Sequence, residues 1–174
     1  AMRAPILGVA TRHRPRAEVI ALAASLARVT HIDQRAVDGA VFATLVSRGL
    51  SSGGRIEHVA RDALRDVNAP ELRVALSTAL ELGVSPTPLD ECARTLGTSG
   101  FVLHSLPWAL CCAVRHHDQP MSAVRATIGA GGDTDTNAAL VGAWLGAMHG
   151  PSVWPAPLIE ALANEVDGRS DYVE

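Results

Sequence analysis

The sequence predicts an all-α protein, an orthogonal assembly of several helices. Apolar residues recur at helical spacing along most of the 174-residue chain, whereas the period-two alternation of a half-buried strand is almost absent. Aromatic residues, which favour strands, make up only 3% of the chain, and alanine and glycine, which let helices approach closely, are abundant. With 48% apolar and 19% charged residues the composition is globular. The length suffices for one sizeable core, so residues 1–174 are expected to form a single helical domain.

The elements follow in order. From Arg16 to Val29, the residues Val19, Leu22, Ala23 and Leu26 form an apolar stripe at helical spacing. Asp33 is placed to cap the next helix, which carries Val37, Val41, Leu45 and Val46 and ends near Gly49. Leu50 to Arg55 is rich in serine and glycine and reads as a loop. Helices are expected from Ile56 to Val67 and from Pro70 to Leu82, with Pro70 in a first turn, where its missing N–H costs nothing. Pro86 and Pro88 make Gly83 to Asp90 a connection. Leu89 to Leu96 forms a short helix before the loop Gly97 to Gly100. A buried helix runs from Ser105 to Arg115, another helix from Pro120 to Ile128, the most apolar one from Asp135 to Met148, and a last one from Leu158 to Val166.

Charge and cysteine content narrow the function. A formal charge of −3 gives no basic face for nucleic acid. All fifteen basic residues are arginine. Cys92, Cys111 and Cys112 lack the paired spacing of a zinc site and read as small buried residues in a reducing compartment. No apolar stretch reaches the length of a membrane span, and the N-terminus lacks the apolar core of a signal peptide, so neither a membrane partner nor export is expected and the cytoplasm is the expected location.

The segment Gly131-Gly132-Asp133-Thr134-Asp135-Thr136 carries the strongest chemical signal. Two glycines permit a tight backbone path into the helix that follows, and the carboxylates of Asp133 and Asp135 and the hydroxyl of Thr136 can then converge on one point. Magnesium takes such hard oxygen ligands, with waters completing its octahedron. Aspartate and threonine are also ordinary helix caps, which is the plain alternative for these residues.

The run from Gly131 to Gly150, whose small residues at Gly142, Gly146 and Gly150 by themselves suggest close helix packing, resembles the C-terminal signature of the ADP-ribosylglycohydrolase family. Three further segments are similar to that family in the same order: Met2-Arg3 with Pro5 and Gly8, Thr30-His31 before a helix, and Gly97 to Val102 followed by Ser105, Leu106, Pro107 and Ala109. The fold implied is the C-terminal part of the ADP-ribosylglycohydrolase fold. The family pattern also has an N-terminal half with a threonine followed by two aspartates, a triplet that does not occur here. The chain is therefore expected to be a partial ADP-ribosylglycohydrolase domain.

The resemblance implies a hydrolase that removes ADP-ribose from a modified protein side chain or related adduct with the help of two magnesium ions. It makes Asp133 and Asp135 the catalytic carboxylates and Asp133, Asp135 and Thr136 the metal ligands. Gly100, Phe101 and His31 become substrate contacts, with Phe101 standing where the family often has tyrosine. His31 has a plainer reading as a residue near a helix start, and Arg3 reads equally as a phosphate contact or a structural ion pair. His116 and His117 end a helix, where positive charge suits the dipole. The expected partners are ADP-ribose or an ADP-ribosylated protein, together with a second copy in a homodimer or a complementing N-terminal half that covers exposed apolar surface. The alternative function is a non-catalytic module that binds ADP-ribose or a nucleotide, or regulates a relative.

Overall fold

The computed structural model describes residues 1–161, and among these no strand occurs. The helices are α1 (Pro5–Ala10), α2 (Arg16–Arg28), α3 (Gln34–Leu50), α4 (Ile56–Ala63), α5 (Pro70–Val84), α6 (Leu89–Leu96), α7 (Val102–Arg115), α8 (Pro120–Gly129) and α9 (Thr134–His149). Short 3-10 turns follow α4 at Leu64–Asp66 and α9 at Pro151–Val153. Of the helix expected from Leu158 to Val166, residues 158–161 are helical, and the remainder lies outside the described residues.

Three helices form the centre. α3 touches α1, α2, α4, α7 and α9, while α7 touches α5, α6, α8 and α9. Composition explains their place. From Val37 to Ser47 every residue of α3 is buried, polar Asp38, Thr44 and Ser47 included, and α7 is buried from Ser105 to Val114. A helix apolar on all sides has no wet face and must be surrounded. α9 packs on both and is tied to α3 by Trp144, which is fully buried, sits edge-on to Phe42 with ring centroids 6.4 Å apart, and donates its indole N–H to the Ala43 carbonyl at 3.1 Å.

Buried polar groups tie the ends of elements together. The Asp38 carboxylate accepts the backbone N–H groups of Asn68 and Ala69 at 2.6 and 2.7 Å, satisfying donors at the start of α5. Arg115 answers the opposite need at the end of α5. Its guanidinium donates to the carbonyls of Leu82, Ser85 and Thr87, in the connection that Pro86 and Pro88 keep out of helix. Cys92, Cys111 and Cys112 are wholly buried, and burial pushes the Cys112 thiol up to about 12.

Three features depart from the sequence reading. Pro5–Ala10 is helical, although six residues are too few to display a period. α7 starts at Val102 instead of Ser105, because the Phe101 carbonyl accepts the N–H groups of His104 and Ser105 at 2.8 and 2.9 Å. Close helix approach is found at Gly8 and not at Gly142. A Cβ on Gly8 would lie 2.1 Å from the Thr44 carbonyl oxygen in α3, whereas one on Gly142 would meet nothing within 4 Å.

These two glycines give opposite expectations. Gly8→Ala drives a methyl into backbone that cannot yield, and is expected to cost on the order of 2 kcal/mol in denaturant unfolding. Gly142→Ala adds helix propensity in open space and should stabilise by up to about 1 kcal/mol. A Gly8→Ala protein as stable as the original would contradict the backbone-to-backbone packing of α1 on α3.

Candidate functional site

The loop between α8 and α9 is built by two glycines with positive φ, 73° at Gly131 and 78° at Gly132, which only glycine adopts without strain. They deliver Asp133 to the N-cap position of α9, yet its side chain makes no capping hydrogen bond. The backbone there is held from across the site. The Asp133 N–H donates to the Thr98 carbonyl at 2.9 Å, and Nδ2 of Asn137, one turn into α9, donates to the same oxygen at 2.8 Å. Contact between the loops is too close for side chains: a Cβ on Gly132 would lie 2.4 Å from Thr98 O, and one on Gly100 would lie 2.4 Å from Oδ2 of Asp133.

Asp135 follows in the first turn of α9 and is exposed. A hydrogen bond shared with the Asp133 carboxyl, aided by the backbone N–H groups of Thr136 and of Asp135 itself, holds Asp135 below the usual carboxylate range. Among the described residues neither carboxylate has a salt-bridge partner. Two neighbouring acids without a cation, beside the Thr136 hydroxyl, fit the hard-oxygen chemistry of magnesium. They fill only part of its shell, and among the described residues no group of three or more His, Cys, Asp or Glu side chains is arranged to hold a metal.

A cavity of about 810 Å³ opens beside these loops. One wall is apolar and solvent-facing, with Ile6, Leu26 and Val29 exposed to 71%, 53% and 78%. Around the rest stand Arg3, His31, Gly100, Phe101 and Thr136. Four residues singled out from the sequence (His31, Gly100, Phe101 and Thr136) thus share one cavity, and Asp133 abuts it through Gly100. Asp135 lies off the cavity wall. Arg3 is exposed and makes no salt bridge among the described residues, which removes the structural ion pair as its explanation there. His31 is exposed, and its Nδ1 pairs with the Thr30 hydroxyl at 2.8 Å instead of holding backbone.

Phe101 is held by its neighbours while 43% of it stays exposed. The His104 ring meets it edge-to-face at 5.4 Å between centroids, and Nδ1 of His104 pairs with the Ser99 hydroxyl at 2.8 Å. The Arg35 guanidinium lies 5.3 Å from the ring centroid. Asp33 fixes that guanidinium, with Nε at 3.0 Å from Oδ1 and the terminal nitrogen at 2.6 Å from Oδ2, while Oδ1 accepts the Arg35 backbone N–H at 2.9 Å. Hydrogen bonds from Arg35 hold the Asp33 carboxyl down at about 2. The cap expected at Asp33 is present and also orients an arginine.

Thr98, Asn137 and Arg35 were not among the sequence candidates. Asn137 lies within the signature run, but Thr98 acts through its carbonyl, which no residue type reveals, and Arg35 meets Phe101 across 66 positions. At the other end of α7, the His117 ring pairs with the Val114 carbonyl at 3.1 Å, as expected at a helix end, whereas burial and Arg115 lower the His116 pKa and favour its neutral form.

A family model described as ADP-ribosylglycohydrolase matches residues 1–174. No curated protein matches the chain. Among the described residues no helix is long and apolar enough to cross a membrane.

Because Asp133 caps nothing, Asp133→Ala is expected to change unfolding stability by less than about 0.5 kcal/mol. A loss of about 1 kcal/mol or more in denaturant melts would make it a cap after all. Asp33 titrates lower in the folded chain than the ordinary 3.8. Its contribution to stability is therefore complete above the unfolded pKa and is lost as pH falls toward 2. Carboxyl-carbon NMR should place its midpoint near 2; a midpoint close to 3.8 would refute the Arg35 pairing.

Proposed function

The chain belongs to the ADP-ribosylglycohydrolase family, and from that premise we propose that its cavity binds the ADP-ribose part of a modified protein side chain or related adduct for hydrolysis at the anomeric carbon. The observation that carries this reading is the contact of the Gly97–Gly100 loop with the Asp133 loop, which brings the acidic groups to the edge of a cavity walled by Phe101, His31 and Thr136.

Each residue then has a role set by its chemistry. Phe101 offers a ring face to a planar base. Arg3, a cation on the cavity wall with no salt-bridge partner among the described residues, meets phosphate charge. His31 donates or accepts at the ribose hydroxyls. Asp133 and Asp135 place negative charge beside the cavity, where an oxocarbenium-like transition state gathers positive charge. The same two carboxylates and the Thr136 hydroxyl are the residues that would hold magnesium, which when bound supplies charge stabilisation and orients hydroxyls and water. Gly100, lacking a side chain, lets the Asp133 carboxylate stand at the cavity wall.

A second reading rests on the absence, among the described residues, of a fuller acidic cluster. Two carboxylates are a sparse set for a catalytic metal, which favours a module that binds ADP-ribose or a nucleotide without cleaving it.

Isothermal titration of ADP-ribose into the chain, with and without magnesium, tests the shared part of both readings. Binding that strengthens with magnesium and weakens at least about tenfold in Phe101→Ala is the expected result, since base–aromatic stacking contributes about 1–3 kcal/mol. Absence of binding under either condition would reject both. Release of ADP-ribose from arginine- or serine-linked peptides then separates hydrolase from binding module.

A further inference from the structure

The site as described leaves Arg35 without a task, although it is held more firmly than an exposed arginine needs to be. Long surface side chains keep their rotamer freedom unless something orders them, and losing that freedom is costly. Here three constraints meet. Asp33 grips both Nε and a terminal nitrogen, the shared Oδ1 ties the pair to the first turn of α3, and the guanidinium rests over an aromatic ring. Phe101 and Asp33 are on the wall of the cavity and Arg35 is not, so the guanidinium braces the ring without itself lining the cavity. His104, held by Ser99, adds a perpendicular contact.

We propose that Arg35 is a positioning residue: together with His104 it fixes the Phe101 ring as a pre-set wall, against which a planar heteroaromatic base stacks from the cavity side. This rests on the reading that the cavity takes an ADP-ribosyl group. The physical basis is preorganisation. Phe101 is the N-cap residue of α7, at the junction with an exposed loop, and a ring there that was free to turn would have to be ordered when ligand arrives. A guanidinium stacked on the ring supplies that order beforehand through cation–π attraction. Asp33 keeps the guanidinium in place and occupies its Nε and a terminal nitrogen, so that Arg35 acts through the ring and is not a phosphate ligand.

A double-mutant cycle tests the assignment. ADP-ribose is titrated calorimetrically into the unaltered chain, Arg35→Ala, Phe101→Ala and the double variant, and the thermal midpoint of each is recorded. Arg35→Ala is expected to weaken binding about three- to tenfold, and to weaken it no further once Phe101 is gone. Inorganic diphosphate, used as a probe without a base, should distinguish Arg35→Ala from the unaltered chain not at all. Equal affinity of Arg35→Ala and the unaltered chain overturns the proposal. So does an undiminished loss in the Phe101→Ala background, or a parallel loss for diphosphate, since either makes Arg35 an independent ligand contact. Arg35→Gln gives the same comparison should the alanine variant fold poorly. If the unaltered chain binds no ADP-ribose, the proposed function falls and this inference with it, whereas failure of the cycle alone leaves the proposed function standing.

Discussion

A single carbonyl oxygen, that of Thr98, accepts two hydrogen bonds from the start of α9, one from the Asp133 backbone and one from the Asn137 side chain. Each bond links segments far apart in sequence, so together they determine where the acidic loop stands relative to the Gly97–Gly100 loop. The constraint works only because side chains are absent at the two nearest points. A Cβ at Gly100 or Gly132 would force the loops apart. Asn137 is fully buried, and among the described residues its side chain is held by this one contact.

The loops can be so placed because the helices carrying them are anchored below. α9 rises from the Asp133 loop to Trp144, whose indole is both packed on Phe42 and hydrogen-bonded to Ala43 in α3. α7 descends from Phe101 through ten consecutive buried residues. Both therefore begin at the site and run through the core, and the site inherits their rigidity. α3 supplies the third support, since Asp33 and Arg35 at its first turn reach Phe101 while Asp38, one turn further, is buried against the start of α5. Catalytic and binding groups held at the ends of packed elements are more exactly oriented than groups on free loops.

Much of this was legible in the sequence, and the remainder was hidden for identifiable reasons. Helices with repeating apolar positions, such as those carrying Val37 to Val46 or Leu72 to Leu80, announce themselves by period. α1 does not, being too short, and its decisive feature is Gly8, where the absence of a side chain matters. The Asp133, Asp135 and Thr136 loop was visible as a motif, and its proximity to Gly100 and Phe101 followed from a resemblance and not from spacing. Tertiary acts of the backbone were invisible. Nothing in the identity of Thr98 tells that its carbonyl is the meeting point, and nothing in Arg35 tells that it crosses to Phe101 instead of extending into water. The glycines recurring from Gly142 onward suggested close packing that Gly142 itself does not make, because a spacing of four describes one face of a helix without saying what lies opposite.

The distribution of charge and apolar surface around the cavity restricts what it can hold. Ile6, Leu26 and Val29 leave a wall that gains by contact with carbon, while the acidic pair sits at one edge and Arg3 on the cavity wall. A purely apolar ligand would leave Arg3 unpaired, with part of its hydration lost and nothing returned. A compact anion would satisfy Arg3, but it would be repelled by Asp133 and Asp135 unless a cation stood between them. A ligand that combines a flat ring, negative charge and hydroxyl groups meets each region with its complement. The proposed function is thus favoured by the combination of apolar, cationic and acidic groups in and beside one cavity.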